Sequence, residues 1–403
     1  MGAAGKIKAH GRLFPVVYLA AIAMCSLLSR VVFSPLLPAI EDELALTHGK
    51  AGSIFFYTSF GFSVGMLCSG FISRAITHRF SIFCSTLTAG VSLVAVSLCP
   101  SLGCMRVFLF ILGAGTGLYM PSAMAVITSL VKKEQRGRAI AINEVGFNMS
   151  FVVAPLLGRA LLPYFSWRVV IQVIAVMIAA SGTVFILFGE GGTDRGSPPH
   201  LKHIRKIIVQ PSFWIITLLF ALAIGGELGV FSIIPTYMVK EKGWDQDFVN
   251  TLIGVSRLSC IVSVFVTGWL VDRVGIKPLI SAVFGIAGVV TAVMGVADGT
   301  LLVVAVLVQP LVIICFFPAG LSAIAALDHP ELLSLTTSLI APSAYLIGAG
   351  LVPAGMALLG DQGAFSAGFF ITGGVLLAAL VPIHFLTLSE DMAAEEKREK
   401  PSS

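Results

Sequence analysis

The chain has 403 residues, of which 57% are hydrophobic and 12% are charged, and its mean hydropathy is +0.96. This composition is far too apolar for a soluble globular protein. The formal charge of +5 reflects where the basic residues stand relative to the apolar runs, so it does not indicate nucleic-acid binding.

Twelve apolar runs follow one another, and each is long enough for a membrane-spanning helix of about 20 residues. The runs cover roughly residues 13–39, 49–72, 80–99, 103–130, 138–162, 167–188, 212–239, 248–271, 278–297, 299–326, 333–359 and 364–388. The predicted fold class is therefore an all-α membrane protein with 12 transmembrane helices, embedded in the lipid bilayer.

An internal repeat relates the two halves of the chain with an offset of 197 or 198 residues. Arg30 is followed by a proline eight positions later, and so is Glu227, 197 residues further on. Pro121 and Pro318 hold the same offset. A repeat that spans half the chain predicts two copies of one six-helix unit, with an arginine in the first copy where the second has a glutamate.

The repeat and the polar segments predict the domain organisation. It consists of an N-terminal six-helix bundle at 1–188, a cytoplasmic linker at 189–210, a C-terminal bundle at 211–389 and a cytoplasmic tail at 390–403. With the amino terminus inside, 18 of the 26 Lys and Arg residues fall on the cytoplasmic side and 6 on the outer side. This asymmetry predicts a multi-pass protein of the cell (inner) membrane with both termini in the cytoplasm.

Charges within the predicted helices are few, namely Arg30, Glu144, Glu227 and Arg257, and Arg257 lies at a depth close to that of Arg30 and Glu227. Counting back from Pro38 places Arg30 about 12 Å below the helix end, near the middle of a hydrocarbon layer about 30 Å thick. A charge at that depth faces a protein interior or a watery cavity. Two arginines there predict a binding site for a small organic anion such as a carboxylate. The alternative is a buried ion pair that fixes packing, with Arg30 paired to either Glu227 or Glu144.

A carboxyl group can exchange a proton at usable pH, whereas arginine cannot. Glu227, which follows the flexible pair Gly225 and Gly226, is the first candidate for proton coupling. Glu144 is the second candidate. Its alternative role is helix packing through a hydrogen bond to Asn148, four residues further along.

Neutral polar residues at similar depth complete the predicted site. Tyr119 is the first candidate for a substrate hydrogen bond, and Tyr57 and Tyr345 are further candidates. For these two and for Gln309, hydrogen bonding between helices is the alternative. The seven cysteines lack metal-ligand spacing, and no phosphate-binding loop or catalytic triad is present. We therefore expect no metal, no cofactor and no enzyme activity, and we leave a disulfide between Cys99 and Cys104 open.

A short motif after the eighth predicted helix consists of Gly268, Asp272, Arg273, Gly275 and Lys277. It resembles the loop signature of the major facilitator superfamily, Gly-x-x-x-Asp-Arg-x-Gly-x-Lys. The resemblance extends to the six-plus-six helices and the central basic loop, along essentially the whole chain. It implies two bundles related by a pseudo-twofold axis along the membrane normal, alternating access and a substrate near the midplane.

The same resemblance implies that the motif is a conformational latch at the inner face. Asp272 would cap a helix and pair with arginine across the bundle, which holds one conformation. The first copy of the motif departs from the pattern because Ser73 occupies the acidic position. We therefore expect a weaker latch in the first half.

Three functional hypotheses follow. The first is a monomeric secondary transporter of a small organic anion, driven by proton symport. The second is a proton-coupled exporter of drugs or metabolites with Glu227 and Glu144 as its acidic site. Ala154 and Arg159 replace two glycines of the motif that is typical of such exporters in this superfamily, which counts against this branch. The third is a transporter-like sensor or assembly factor without flux.

Overall fold

The structure, a computed structural model, describes residues 14–196, 204, 207–326 and 330–386. These residues form helices joined by short connections, without any strand. The long helices are α1 (Phe14–Leu44), α2 (His48–Ile76), α3 (His78–Leu98), α4 (Leu102–Leu130), α5 (Lys133–Leu161), α6 (Trp167–Phe188), α7 (Pro211–Glu241), α8 (Gln246–Leu258 and Cys260–Val274), α9 (Ile276–Met294), α10 (Gly299–Ala325), α11 (Thr336–Gly360) and α12 (Phe365–His384). The predicted tail at 390–403 and part of the predicted linker lie outside the described residues.

Eleven of these helices are long and apolar enough to span a membrane, judged over the described part of the chain. The exception is α8, which the sequence predicts as one continuous helix but which is interrupted at Ser259. The hydroxyl of Ser256 donates to the carbonyl of Ile253 at 2.7 Å, and that of Ser259 donates to Ser256 at 2.9 Å. Such side-chain bonds to the helix backbone bend helices, which accounts for a break without proline.

Three other helices are interrupted three residues before a proline. The breaks lie at Val32 before Pro35 in α1, at Leu118 before Pro121 in α4, and at Cys315 before Pro318 in α10. Proline lacks the amide hydrogen that the helix needs and its ring displaces the carbonyl four residues earlier. The repeated prolines Pro121 and Pro318 therefore give α4 and α10 the same shape.

The two halves of the chain use the same helix pairings. In the first half α1 packs on α5, α2 on α4 and α3 on α6, and in the second half α7 packs on α11, α8 on α10 and α9 on α12. The close α2–α4 contact depends on glycine, because a Cβ on Gly113 would collide with the backbone of Thr58. The predicted all-α class with two six-helix bundles is confirmed. The exact domain boundaries stay a prediction.

The halves meet through α1 with α7, α2 with α11, and α5 with α8. We call the end of the bundle that carries residues 189–196 the linker end, and the opposite end the distal end. At the distal end Lys240 of α7 pairs with Asp42 of α1, and Gln246 donates to the Pro35 carbonyl at 3.2 Å. The linker-end parts of α4 and α10 pack against helices of their own half. The halves are thus bound together at the distal end.

Candidate functional site

The central part of α7 widens into a π-helical turn over Gly225–Gly229. Turns of this kind often occur at functional positions. Gln309 of α10 supports the turn, because its Nε2 donates to the Gly226 carbonyl at 2.7 Å. The predicted interhelical role of Gln309 is thereby confirmed. Glu227 lies in the middle of the turn and is only 6% exposed.

Glu227 forms an ion pair with Arg257 of α8. Arg257 Nη1 lies 3.4 Å from Glu227 Oε1, and Nη2 donates to the Glu227 carbonyl at 3.3 Å. The guanidinium carbon of Arg257 lies 4.7 Å from the ring centre of Phe151 and 4.8 Å from that of Phe231. Both charges are buried, so each depends on the other to offset the loss of hydration.

Arg30 of α1 has a different environment. Its guanidinium carbon lies 3.9 Å from the ring centre of Phe62 and 5.6 Å from that of Tyr345. Within the described residues it has no carboxylate at ion-pair distance, and its Nε is buried without a hydrogen-bond partner. The side chain as a whole is partly accessible. Aromatic faces stabilise the cation but leave its N–H groups able to bind an oxyanion.

The ion pairing differs from both sequence alternatives. Arg30 pairs with neither Glu227 nor Glu144 in the described structure, because Glu227 is held by Arg257. Sequence spacing did not reveal this pair, since it depends on the π turn in α7 and on the side-chain directions of α8. Among the described residues, one central arginine and not two is therefore left without an acidic partner.

The two arginine sites are built on equivalent helices. The Arg30 site uses α1, α2 and α11, and the Arg257 site uses α7, α8 and α5, which are their counterparts in the repeat. In each site one aromatic ring comes from the opposite half, Tyr345 in the first and Phe151 in the second. Both sites consequently depend on how the two halves are placed relative to each other.

Glu144 of α5 lies in the same region and is partly accessible. Asn148 Nδ2 donates to the Glu144 main-chain carbonyl at 2.9 Å, so the bond to Asn148 does not occupy the carboxylate. That carboxylate has no hydrogen bond or ion pair within the described residues. Its charge interacts electrostatically with Glu227 and Tyr345, and Tyr345 interacts in turn with Arg30. These four side chains gather in one region between the halves.

The three predicted tyrosines have different surroundings. Tyr345 contacts Arg30, whereas the Tyr119 hydroxyl is buried and donates to the Leu19 carbonyl at 2.6 Å. The ring of Tyr57 lies 5.4 Å from the guanidinium carbon of Arg106 near the distal end. The directions of the Tyr119 and Tyr57 side chains could thus not be predicted from their positions along the helices.

The signature residues of the predicted latch lie at the linker end. Asp272 and Arg273 are exposed, and the guanidinium carbon of Arg273 lies 4.4 Å from the Trp269 ring. Asp272 has no ion pair within the described residues. Gly275 makes the turn into α9 with φ +89°, a conformation that favours glycine. Gly268 and Lys277 lie at the same end. The latch stays a prediction.

Aromatic rings at the site were missed in the sequence. Phe62, Phe151 and Phe231 contact the two arginines, but the chain has 28 phenylalanines in apolar surroundings and none of them is distinctive.

At the distal end the structure joins Cys99 and Cys104 in a disulfide, which decides the alternative left open by the sequence. Within the described residues, no group of three or more His, Cys, Asp or Glu side chains could hold a metal ion.

Comparisons with known proteins agree with this architecture. A family model described as Major Facilitator Superfamily matches residues 19–353. The niacin transporter NiaP of Acinetobacter baylyi is 23% identical over an alignment of 291 residues that covers 62% of this chain and 65% of that protein. A chloramphenicol resistance protein of Streptomyces lividans is 24% identical over an alignment of 268 residues that covers 64% of this chain and 67% of that protein. The match thus spans just under two thirds of the length of NiaP.

A solved structure shows the same fold. It is the crystal structure of a bacterial homologue of the human lysosomal transporter Spinster, in an inward-facing and occupied conformation. The TM-score is 0.74 at 15% sequence identity, and the alignment covers 93% of this chain and 94% of that chain. At this identity the likeness establishes the arrangement of the helices and nothing about cargo.

Proposed function

The chain belongs to the Major Facilitator Superfamily, and from that premise we propose that it is a secondary active transporter of a small organic anion that works by alternating access. Eleven helices in the described part of the chain are long and apolar enough to span a membrane, which supports a multi-pass membrane protein. The observation that carries the proposed cargo is Arg30, a central guanidinium with two aromatic neighbours and no carboxylate partner within the described residues.

A carboxylate suits this site for two reasons. The guanidinium of Arg30 can donate two parallel hydrogen bonds to a carboxylate group, a geometry that ammonium groups lack. Tyr345 beside it is partly accessible and offers an apolar face to the body of the cargo. NiaP is named a niacin transporter, and niacin is a flat aromatic carboxylic acid. Small aromatic monocarboxylates are therefore the first compounds to test.

Glu144 is the proton-coupling group in this proposal. Glu227, the first candidate from the sequence, is occupied by its ion pair with Arg257, whereas the Glu144 carboxylate is unpaired within the described residues. When Glu144 carries a proton, Arg30 gives the centre a net positive charge that attracts an anion. When Glu144 is ionised, its negative charge repels the anion. Anion and proton thus bind together, which is the requirement for symport.

The proposed orientation places both termini in the cytoplasm and the distal end outside. The conformation described here, bound together at the distal end, then opens toward the cytoplasm. The proposed working unit is a monomer with bundles at 1–188 and 211–389, the linker 189–210 between them and the tail 390–403.

A proton-coupled exporter is the second candidate. One relative is named a chloramphenicol resistance protein, and the unpaired Glu144 carboxylate would equally attract a cationic or amphipathic compound. The two candidates differ in the charge of the cargo and in the group that binds it. Arg30 is essential to the first candidate and not to the second.

Uptake by proteoliposomes tests the proposal. The purified protein is reconstituted, and entry of labelled nicotinate, benzoate and acetate is measured with an inward proton gradient. We expect Arg30→Gln to lower uptake at least about tenfold, since a hydrogen bond to a charged group contributes about 1.5–3 kcal/mol. Arg106→Gln, which removes an arginine near the distal end, is the matched control.

Unchanged uptake in Arg30→Gln would exclude the anion site. Drug tolerance of cells that express the chain distinguishes the exporter from the anion importer, because an exporter raises tolerance and an anion importer does not. A raised tolerance that depends on Glu144 and not on Arg30 would favour the second candidate.

A further inference from the structure

An apolar groove with a volume of about 280 Å³ lies between α7, α11 and α12, away from the central charges. Leu222 and Gly225 border it on α7, Val352 and Gly355 on α11, and Thr372 on α12. Its lining contains no charged residue. The Thr372 hydroxyl donates to the Gly368 carbonyl of its own helix at 2.8 Å. No polar group in the groove therefore needs a partner from a ligand.

The groove opens on the outside of the helix bundle. Leu351, Ile371 and Val375 line it and are 50%, 55% and 43% exposed. They lie within helices that are long and apolar enough to span a membrane, so the medium that these side chains face is the hydrocarbon of the bilayer. A protein cavity of about 150 Å³ accepts benzene, and this groove accordingly has room for several methylene groups.

Two of the three π turns described in the second half border the groove. Gly225 begins the π turn of α7, and Leu351 ends the π turn of α11, which covers Leu346–Leu351. The two turns touch at Gly348, where a Cβ would lie 2.6 Å from the Gly225 nitrogen. One turn carries Glu227, and the other directly follows Tyr345. Whatever fills the groove thus packs against the backbone that positions two central side chains.

We propose that an acyl chain of a bilayer phospholipid occupies this groove and supports the two π turns. The occupant is a hydrocarbon because no polar group in the groove needs a hydrogen-bond partner. It is a lipid chain because the groove opens to the bilayer. This site is separate from the proposed cargo site and does not depend on transport.

Photo-crosslinking tests the proposal. The full-length protein is reconstituted in phosphatidylcholine liposomes that contain a fraction of phosphatidylcholine with a diazirine on its acyl chain, and the adducts are located by peptide mass spectrometry. We expect the adducts to concentrate on the groove residues of α7, α11 and α12. A Cβ at Gly355 meets nothing within 4 Å, so Gly355→Leu extends a side chain into the groove and should lower labelling there at least about threefold.

Gly374→Leu is the matched control, since Gly374 is exposed on α12, is equally free of neighbours and does not line the groove. It should leave labelling unchanged. Gly355→Ala gives a smaller decrease and keeps the test valid if the leucine variant does not fold. The proposal is overturned if Gly355→Leu leaves groove labelling intact, or if α3 positions such as Val91 are labelled as densely as the groove. Labelling by a free diazirine hydrocarbon but not by the phospholipid also overturns it.

Thermal unfolding gives an independent readout. Phospholipid added to the protein in detergent should raise the unfolding temperature of the wild type and of Gly374→Leu more than that of Gly355→Leu, because ligand binding stabilises the folded state. An equal rise in all three proteins would overturn the proposal. Neither measurement uses cargo, so a failed transport assay leaves this result unaffected.

Discussion

The Ser34 hydroxyl donates a hydrogen bond of 2.8 Å to the Phe231 carbonyl, and the two residues are 197 positions apart, which is the offset of the internal repeat. Equivalent residues of two copies touch only where the symmetry axis passes between them. The helices α1 and α7 therefore cross on the pseudo-twofold axis, and Asp42 and Lys240, 198 positions apart, meet on the same helix pair. Arg30 lies about one helical turn before Ser34.

Removing one partner of the ion pair between Glu227 and Arg257 should strongly destabilise the fold. Arg257→Gln leaves a buried carboxylate without its partner, and we expect a loss of about 3–5 kcal/mol of stability. The double variant Glu227→Gln/Arg257→Gln should recover most of this loss, because neither charge remains. Thermal unfolding in detergent measures the stability of the single and the double variant. A double variant as unstable as Arg257→Gln would contradict the pairing.

Glu144→Gln should separate anion movement from proton movement. A glutamine resembles the protonated carboxyl, so we expect anion exchange across proteoliposomes to continue while uptake driven by a proton gradient falls to the background. Counterflow and gradient-driven uptake of the same labelled anion are the two measurements. The control is Glu241→Gln, at the exposed distal end of α7. Gradient-driven uptake that survives in Glu144→Gln would assign coupling to another group.

Gln309→Leu should disturb the π turn of α7. The substitution removes the 2.7 Å bond to Gly226 and leaves a buried carbonyl without its partner, which costs about 1–3 kcal/mol. We also expect a higher KM for the anion, because this turn touches the π turn of α11 that directly follows Tyr345 of the proposed cargo site. Gln172→Leu removes a 2.9 Å bond to Ser97 and should affect stability alone. Equal KM changes in both variants would show that Gln309 has no positioning role.

The contact between Asp42 and Lys240 should favour closure of the distal end. Reversing one charge, as in Lys240→Asp, replaces attraction by repulsion, and the double reversal Asp42→Lys/Lys240→Asp restores it. An exposed ion pair contributes up to about 1 kcal/mol, so we expect up to about a fivefold change in closure. An impermeant maleimide on a Gln246→Cys background reports this change. Labelling that is the same in the single and double reversals would contradict the assignment.

Much of the fold could be predicted because it depends on properties that are local in sequence. Apolar runs identified the spans, and the offset between Pro121 and Pro318 identified the two copies and their equivalent breaks. The break in α8 was not predictable from prolines. It depends on serine hydroxyls that bond to their own helix, and many serines in helices do this without interrupting them.

The candidate site was predictable only in part, since it depends on directions around helices. Charge at mid-depth identified Arg30, Glu144, Glu227 and Arg257, which do gather between the halves. Their partners could not be predicted, because a π turn adds one residue and rotates every side chain beyond it. The aromatic neighbours Phe62 and Phe151 could not be predicted either, since a phenylalanine in an apolar run does not indicate a functional position.

The proline breaks in α4 and α10 have a consequence for the number of conformations that the chain can adopt. Each helix consists of two segments joined near its middle, so the linker-end segments can swing inward while the distal segments keep their packing. In the transport cycle that we propose, the cargo chamber can therefore be closed on both sides at once. A transporter that closes in this way before it opens on the other side avoids a continuous leak for protons.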